Sequence, residues 1–132
     1  MGTSLSGAPR LEAAGTVTTR ASGFWGPGMV LEVAVLDVRS GLEPAFEAAF
    51  AEARPLIASI PGYLGLELQR CVERPSRYVL LVRWRRLEDH TEGFRGSPQY
   101  QKWKLLLHHF YDPFPTVEHY RPVEHENACP PE

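Results

Sequence analysis

The hydrophobic period changes along this 132-residue chain in a set order, and that order constrains the fold more than any other feature. Val30–Val38 (VLEVAVLDV) is short, β-branched and bounded by Gly28 and by Ser40-Gly41, which predicts a strand. Apolar residues on both of its sides suggest cover on two faces. From Phe46 the period becomes helical: Phe46, Ala49 and Phe50, Ala53, Leu56 and Ile57, then Ile60. Pro44 suits the first turn of this helix, Pro55 inside it predicts a kink, and Pro61-Gly62 stops it. Tyr63–Glu73 returns to period two, with Leu64, Leu66, Leu68 and Val72 on one face and Glu67, Gln69 and Cys71 on the other. Arg74–Arg77 reads as a turn and Tyr78–Trp84 (YVLLVRW) as a strand apolar on both faces, so the pair predicts a β-hairpin. Leu87–Phe94 reads as a short helix, broken by Gly93 and Gly96. Ser97-Pro98 then has the form of an N-cap and first helical position, followed by Tyr100, Trp103, Leu106, Leu107 and Phe110 on one helical face. Asp112-Pro113 and Phe114-Pro115 end that helix, and Thr116–Val123 is a last strand.

The order β-α-β-β-α-β predicts an α+β fold of the split βαβ, ferredoxin-like kind: a four-stranded antiparallel sheet with helices on one face. One helical layer cannot cover both faces of such a sheet. Val79, Leu81 and one side of the first strand are left needing cover, and an apolar sheet face of that size marks an interface. The expectation is a homodimer with two sheets face to face. Residues 1–27, rich in Gly, Ser and Thr, cannot bury enough surface to offset their ordering entropy and read as a flexible tail, from which Phe24 and Trp25 can tuck onto the domain. Residues 124–132 are polar, end near Pro-Pro and read as a second tail, which leaves 28–123 as the folded domain.

Charge and composition exclude several classes. Fourteen basic against sixteen acidic residues give a net charge of -2, with no positive excess for a phosphate backbone, so no nucleic-acid partner is expected. No apolar run approaches the ~20 residues of a membrane span. MGTSLSGAPR contains no apolar signal region, and Cys71 and Cys129 cannot build a disulfide scaffold. A cytoplasmic protein with free thiols is the expectation.

Chemistry concentrates in residues 83–120, which hold Trp84, Trp103, Tyr100, Tyr111, Tyr120, Phe94, Phe110 and four of the five histidines. Aromatic faces bury a flat apolar ligand, and an imidazole accepts a proton near neutral pH. Two readings stay open for each residue. Trp84, Trp103 and Phe94 are either pocket wall or core. His90, in Glu88-Asp89-His90, is either a base or a solvated surface histidine. His108-His109 either serve a site or stabilise a helix end as cations. His119 alternates with Glu118 on an end strand, where exposure or a dimer contact is the plainer role. Adjacent His108 and His109 diverge by ~100° around a helix and cannot face one metal ion. There is no HxxxH, HxH, GxSxG, GxGxxG or Walker A pattern. Gly93-Phe94-Arg95-Gly96-Ser97-Pro98 before a helix start could hold one anion.

With these residues in view the chain resembles a known family. Pro61-Gly62-Tyr63-Leu64 opens the second strand and Trp84 precedes the turn Leu87-Glu88-Asp89-His90. Phe94-Arg95-Gly96-Ser97-Pro98 and the terminal Val117-Glu118-His119-Tyr120 add to the pattern. Over 29–122 it is similar to the antibiotic biosynthesis monooxygenase domain of the dimeric α+β barrel superfamily. The resemblance implies a cofactor-independent oxygenase acting with O2 on a small aromatic, phenolic substrate of polyketide or quinol type. It implies Trp84 as the family's tryptophan, His90 in place of a tyrosine, Lys104 in place of an arginine, Leu80 in place of an asparagine and Gln69 in place of a histidine. His90 would then be the base, the Trp84 indole N–H a donor and Lys104 a holder of negative charge. Phe94, Trp103, Tyr100, Gln69, Leu80 and His108 would stand against the substrate. The asparagine, tryptophan and histidine of the haem-degrading branch fall at about Ala34, Phe94 and Lys104, so that activity is not expected. Two other readings remain: a non-catalytic ligand- or partner-binding barrel, which Leu80 and Gln69 favour, and a cofactor-free isomerase or decarboxylase of an enolisable compound.

Overall fold

The computed structural model of the chain describes residues 26–124, and Gly28–Arg121 form one compact unit. The calls on Phe24, Trp25, Cys129 and nearly all of both expected tails lie outside the described residues.

Strands β1 (Val30–Asp37), β2 (Tyr63–Arg70), β3 (Arg77–Trp84) and β4 (Val117–Tyr120) make one antiparallel sheet in the order β2-β3-β1-β4. Helices α1 (Glu43–Ala58) and α2 (Pro98–Leu107) pack against each other on one face of it. This is the α+β, ferredoxin-like fold read from the periodicity. Alternation selects the covered face. Val30, Ala34 and Leu36 of β1 and Tyr78, Leu80, Val82 and Trp84 of β3 point at the helices and are buried. Phe46, Phe50, Ala53 and Ile57 of α1 and Trp103 and Leu107 of α2 meet them. Leu31, Val33, Val79 and Leu81 look the other way and stay half-exposed, with Val35 41% exposed.

Local chemistry sets the element ends. Pro44 stands in the first turn of α1, where no N–H is needed, and the helix continues through Pro55 to Ala58. The Ser97 hydroxyl caps α2, accepting the Tyr100 N–H at 3.2 Å. Three expectations need correction. A bulge between Tyr63 and Gly65 shifts the register of β2, so Tyr63 faces inward beside Trp84 and Leu64 is 43% exposed. Val72, past the end of β2, is exposed and shares no buried face with Leu66. Leu87–Phe94 is mostly a π-helical segment, Asp89–Phe94, in which the Arg95 N–H reaches back to the His90 carbonyl.

Candidate active site

Four elements converge at one end of the helical face. β1 carries Glu32 in the inward-pointing set between Val30 and Ala34, so alternation drives a carboxyl into the core, where it is 5% exposed. β3 ends on Trp84, which is fully buried. β4 pairs with β1 in a register that sets His119 opposite Glu32. The π-helical segment supplies His90 and Phe94, both 2% exposed. Its start is held by Asp89, whose carboxylate accepts the Arg86 N–H at 3.1 Å and lies against Gly62. Gly62 has φ +94°, and a side chain there would overlap Asp89.

The side chains form a continuous polar line. The Trp84 indole Nε1–H donates to Glu32 Oε1 at 2.9 Å. His90 Nε2 stands 3.4 Å from the same oxygen. His90 Nδ1 and His119 Nε2 share a hydrogen bond of 2.7 Å. Apolar rings wrap the line: Trp84 stacks on His90 at 5.4 Å between centroids and 22°, and Phe94 stacks on His90 at 6.2 Å and 27°. Tyr100 and Trp103 then meet Phe94 edge-on at 5.1 and 5.4 Å.

Burial sets the electrostatics. Glu32 is lifted from 4.5 to about 7 by desolvation, against the opposing pull of the Trp84 hydrogen bond and of Arg95. His90 is pushed down from 6.5 to about 3, first by burial and then by the positive charge of Arg95 and by His119. His119 is also lowered, by burial and by Arg95. Near neutral pH the site therefore holds two neutral imidazoles and a carboxyl close to its midpoint. Such a set accepts and returns protons in surroundings that exclude water. Among the described residues no group of three or more His, Cys, Asp or Glu side chains is arranged to hold a metal ion.

The structure brings together only part of the set expected from sequence. Trp84, His90, Phe94, Trp103 and Tyr100 are in one ring cluster. Lys104 and His108 border it on the half-buried side of α2: Lys104 Nζ lies 5.3 Å from the Tyr100 ring centre, and the His108 ring is 6.0 Å from Tyr100. Leu80 is on the correct face but in mid-core, paired with Ala34 and Leu68. Gln69 is on the opposite face, exposed, with its amide on Glu67. The Trp84 N–H, expected to serve a substrate, is engaged by Glu32. His90 is buried rather than solvated, and His119 binds His90 rather than standing free.

The sequence reading leaves Glu32 out of the site and gives His119 exposure or a dimer contact as its plainer role. The signal for Glu32 was present, because it is the one charged residue in the inward set of β1. An open groove of about 480 Å³ lies elsewhere, between α1 and β2, lined by Glu47, Phe50, Arg54, Leu68, Arg70 and Tyr78.

Comparison with known proteins adds a family. The antibiotic biosynthesis monooxygenase family model matches residues 29–104. The uncharacterized protein YczJ of Bacillus subtilis is 56% identical over 95 residues, which are 72% of this chain and all of YczJ. A mycobilin-producing heme oxygenase of Mycobacterium tuberculosis is 31% identical over 55 residues, 42% of this chain and 52% of that protein. Among solved structures, one from Bordetella bronchiseptica, described in the same family terms, is 38% identical with a TM-score of 0.70, over 74% of this chain and 99% of that one. SnoaB of Streptomyces nogalater, a cofactor-independent oxygenase, has a TM-score of 0.60 at 22% identity, over 80% of this chain and 99% of its own, a likeness of fold.

Proposed function

Because the chain belongs to the antibiotic biosynthesis monooxygenase family, we propose that it is a cofactor-independent monooxygenase, oxidising a small phenolic, polyketide- or quinol-like substrate with O2. The observation that carries this reading is the line of buried Trp84, Glu32 and His90 continued by half-buried His119. A carboxyl and an imidazole inside an apolar core cost stability, and perturbed groups of this kind cluster at functional sites.

For a phenolic ring bearing an activated methylene, the chemistry balances without a further reactant. Proton loss from the methylene gives a delocalised carbanion, whose electrons reduce O2 as a C–O bond forms. The peroxide oxygen takes the proton back, and loss of water leaves a carbonyl. In this reading His119, the half-buried member, meets the substrate's proton and passes it to His90 across their 2.7 Å contact. Trp84 and Phe94 keep the imidazole dry, and Lys104 on the rim balances negative charge. Tyr100, the half-exposed ring against Phe94, gives way to admit the substrate ring.

The same reading includes a homodimer, with the half-exposed Leu31, Val33, Val79 and Leu81 face packed on its copy. Cys71 is a free thiol, which suits the cytoplasm as its proposed setting. No helix among the described residues is long and apolar enough to cross a membrane.

Oxygen uptake with a panel of anthrone-like and hydroquinone compounds tests the activity. His90→Ala is expected to slow uptake by about 100-fold, and Trp84→Phe to slow it sharply. Unchanged rates in both variants remove the proposal. Substrate conversion without oxygen uptake identifies an isomerase or decarboxylase instead. A rise in melting temperature without conversion identifies a binding protein.

A further inference from the structure

We propose that Glu32, His90 and His119 are one proton chain running from the β4 edge into the interior, and that a proton taken at His119 comes to rest on the Glu32 carboxylate. Its use in oxygenation rests on the function proposed above; the chain itself stands on geometry. Glu32 and His119 are brought opposite each other by the β1–β4 register, and His90 enters between them from the π-helical segment. The links are 2.7 Å from His119 Nε2 to His90 Nδ1 and 3.4 Å from His90 Nε2 to Glu32 Oε1. The second link is long for a hydrogen bond, and a few tenths of an ångström of side-chain motion closes it.

A neutral imidazole carries one N–H and one acceptor nitrogen, so the line has a direction. With Glu32 ionised, His90 Nε2–H points to the carboxylate and His90 Nδ1 accepts the His119 Nε2–H. A proton arriving at His119 Nδ1 releases the Nε2 proton to His90 Nδ1. His90 in turn releases its Nε2 proton to Glu32 Oε1. Two neutral imidazoles of reversed tautomer and a neutral carboxylic acid remain. Every N–H bond broken is matched by one formed, and the reverse sequence returns the proton.

The surroundings favour this resting place. Arg95 is the charged group acting on all three members: its field opposes a cation on either imidazole and, like the Trp84 hydrogen bond, favours the Glu32 carboxylate, a pull that burial outweighs. The Trp84 N–H bond to Oε1 holds the carboxyl in place. Burial disfavours an imidazolium at His90 and a carboxylate at Glu32 alike, so the neutral acid is the form the interior tolerates. His90 alone, held near 3, would retain a substrate proton poorly. Indole binding on its own needs only an oxygen at this position, which a glutamine would supply.

The test is the tautomer of His90, read by long-range 15N–1H correlation NMR on the full chain across neutral pH. The expected result is a change from Nε2–H to Nδ1–H as pH falls through the titration of Glu32, with no imidazolium formed. Glu32→Gln should abolish the change, and His119→Gln should leave it but slow its exchange. A single His90 tautomer at all pH values, or a change that persists in Glu32→Gln, overturns the proposal. Should Glu32→Gln fail to fold, the native titration and His119→Gln still decide. In oxygen uptake both variants should lose about 100-fold, and Glu32→Gln should also lose the pH dependence near neutrality. A tautomer change without uptake on any substrate leaves the chain intact and removes the oxygenase reading. Uptake with a fixed tautomer does the opposite.

Discussion

Replacing Glu32 with Gln tests the electrostatics of the site through stability alone. The amide keeps an oxygen for the Trp84 N–H and nearly the same shape, and it removes the titration. In the native chain burial lifts Glu32 from 4.5 to about 7. The folded state therefore holds a proton that the unfolded chain releases between those values, so this term lowers stability as pH rises through the window. The distance from 4.5 to about 7 corresponds to about 3 kcal/mol. His90 acts in the opposite sense. Held near 3 against 6.5, it refuses in the folded state a proton that the unfolded chain binds, so its term raises stability from about pH 3 to 6.5. Where the windows overlap, from 4.5 to 6.5, the two slopes largely cancel in the native chain. In Glu32→Gln only the His90 slope is left. The variant should therefore gain on the native protein steadily between 4.5 and about 7, and the difference should stay constant above. Urea unfolding followed by circular dichroism between about pH 4 and 8 measures it, against a total stability of about 5–15 kcal/mol for a domain of this kind. The opposite sign would refute the reasoning. A variant that loses ground as pH rises means a Glu32 carboxylate paired with a His90 imidazolium, and parallel curves mean no perturbation at all.

Three further outcomes follow from the packing. Gly62→Ala forces a positive φ on alanine and drives its Cβ into Asp89, so a loss of about 1–3 kcal/mol is expected, read as a lower melting temperature; an unchanged melt contradicts the close approach. Phe94→Ala removes a ring in contact with Trp84, His90, Tyr100 and Trp103, and about 3–5 kcal/mol should be lost in urea unfolding. A loss below about 1 kcal/mol would mean that this ring is not tightly packed. For the proposed homodimer, Leu81→Lys puts a charge in the middle of the half-exposed sheet face, and sedimentation should shift from dimer to monomer with the circular dichroism unchanged. A dimer that survives this change is built on another surface.

Much of the fold was legible because it depends on period. Alternating Tyr78, Leu80, Val82 and Trp84 specify one buried face of β3 wherever that strand lies, and the Phe46–Phe50–Ala53–Ile57 repeat does the same for α1. The bulge at Leu64 was not legible, since the alternation of Leu64, Leu66 and Leu68 is unbroken in the sequence and only pairing with β3 exposes the extra residue. Of the candidate site, the family resemblance picks out Trp84 and His90, which the structure stacks together, and also Gln69, which strand alternation puts opposite Leu66 and Leu68 and which the structure keeps on the face away from the helices.

Glu32 marks the boundary between the two kinds of information. The amino-acid order alone determines that this carboxyl points inward, because every second residue of β1 must, and it determines that a histidine stands shortly after Trp84. Only the tertiary structure decides that Glu32 meets His90 and His119. Their meeting depends on which strand lies beside β1, in what register, and on the wider turn of the π-helical segment. Those choices come from packing between segments far apart in the chain, and no local period records them.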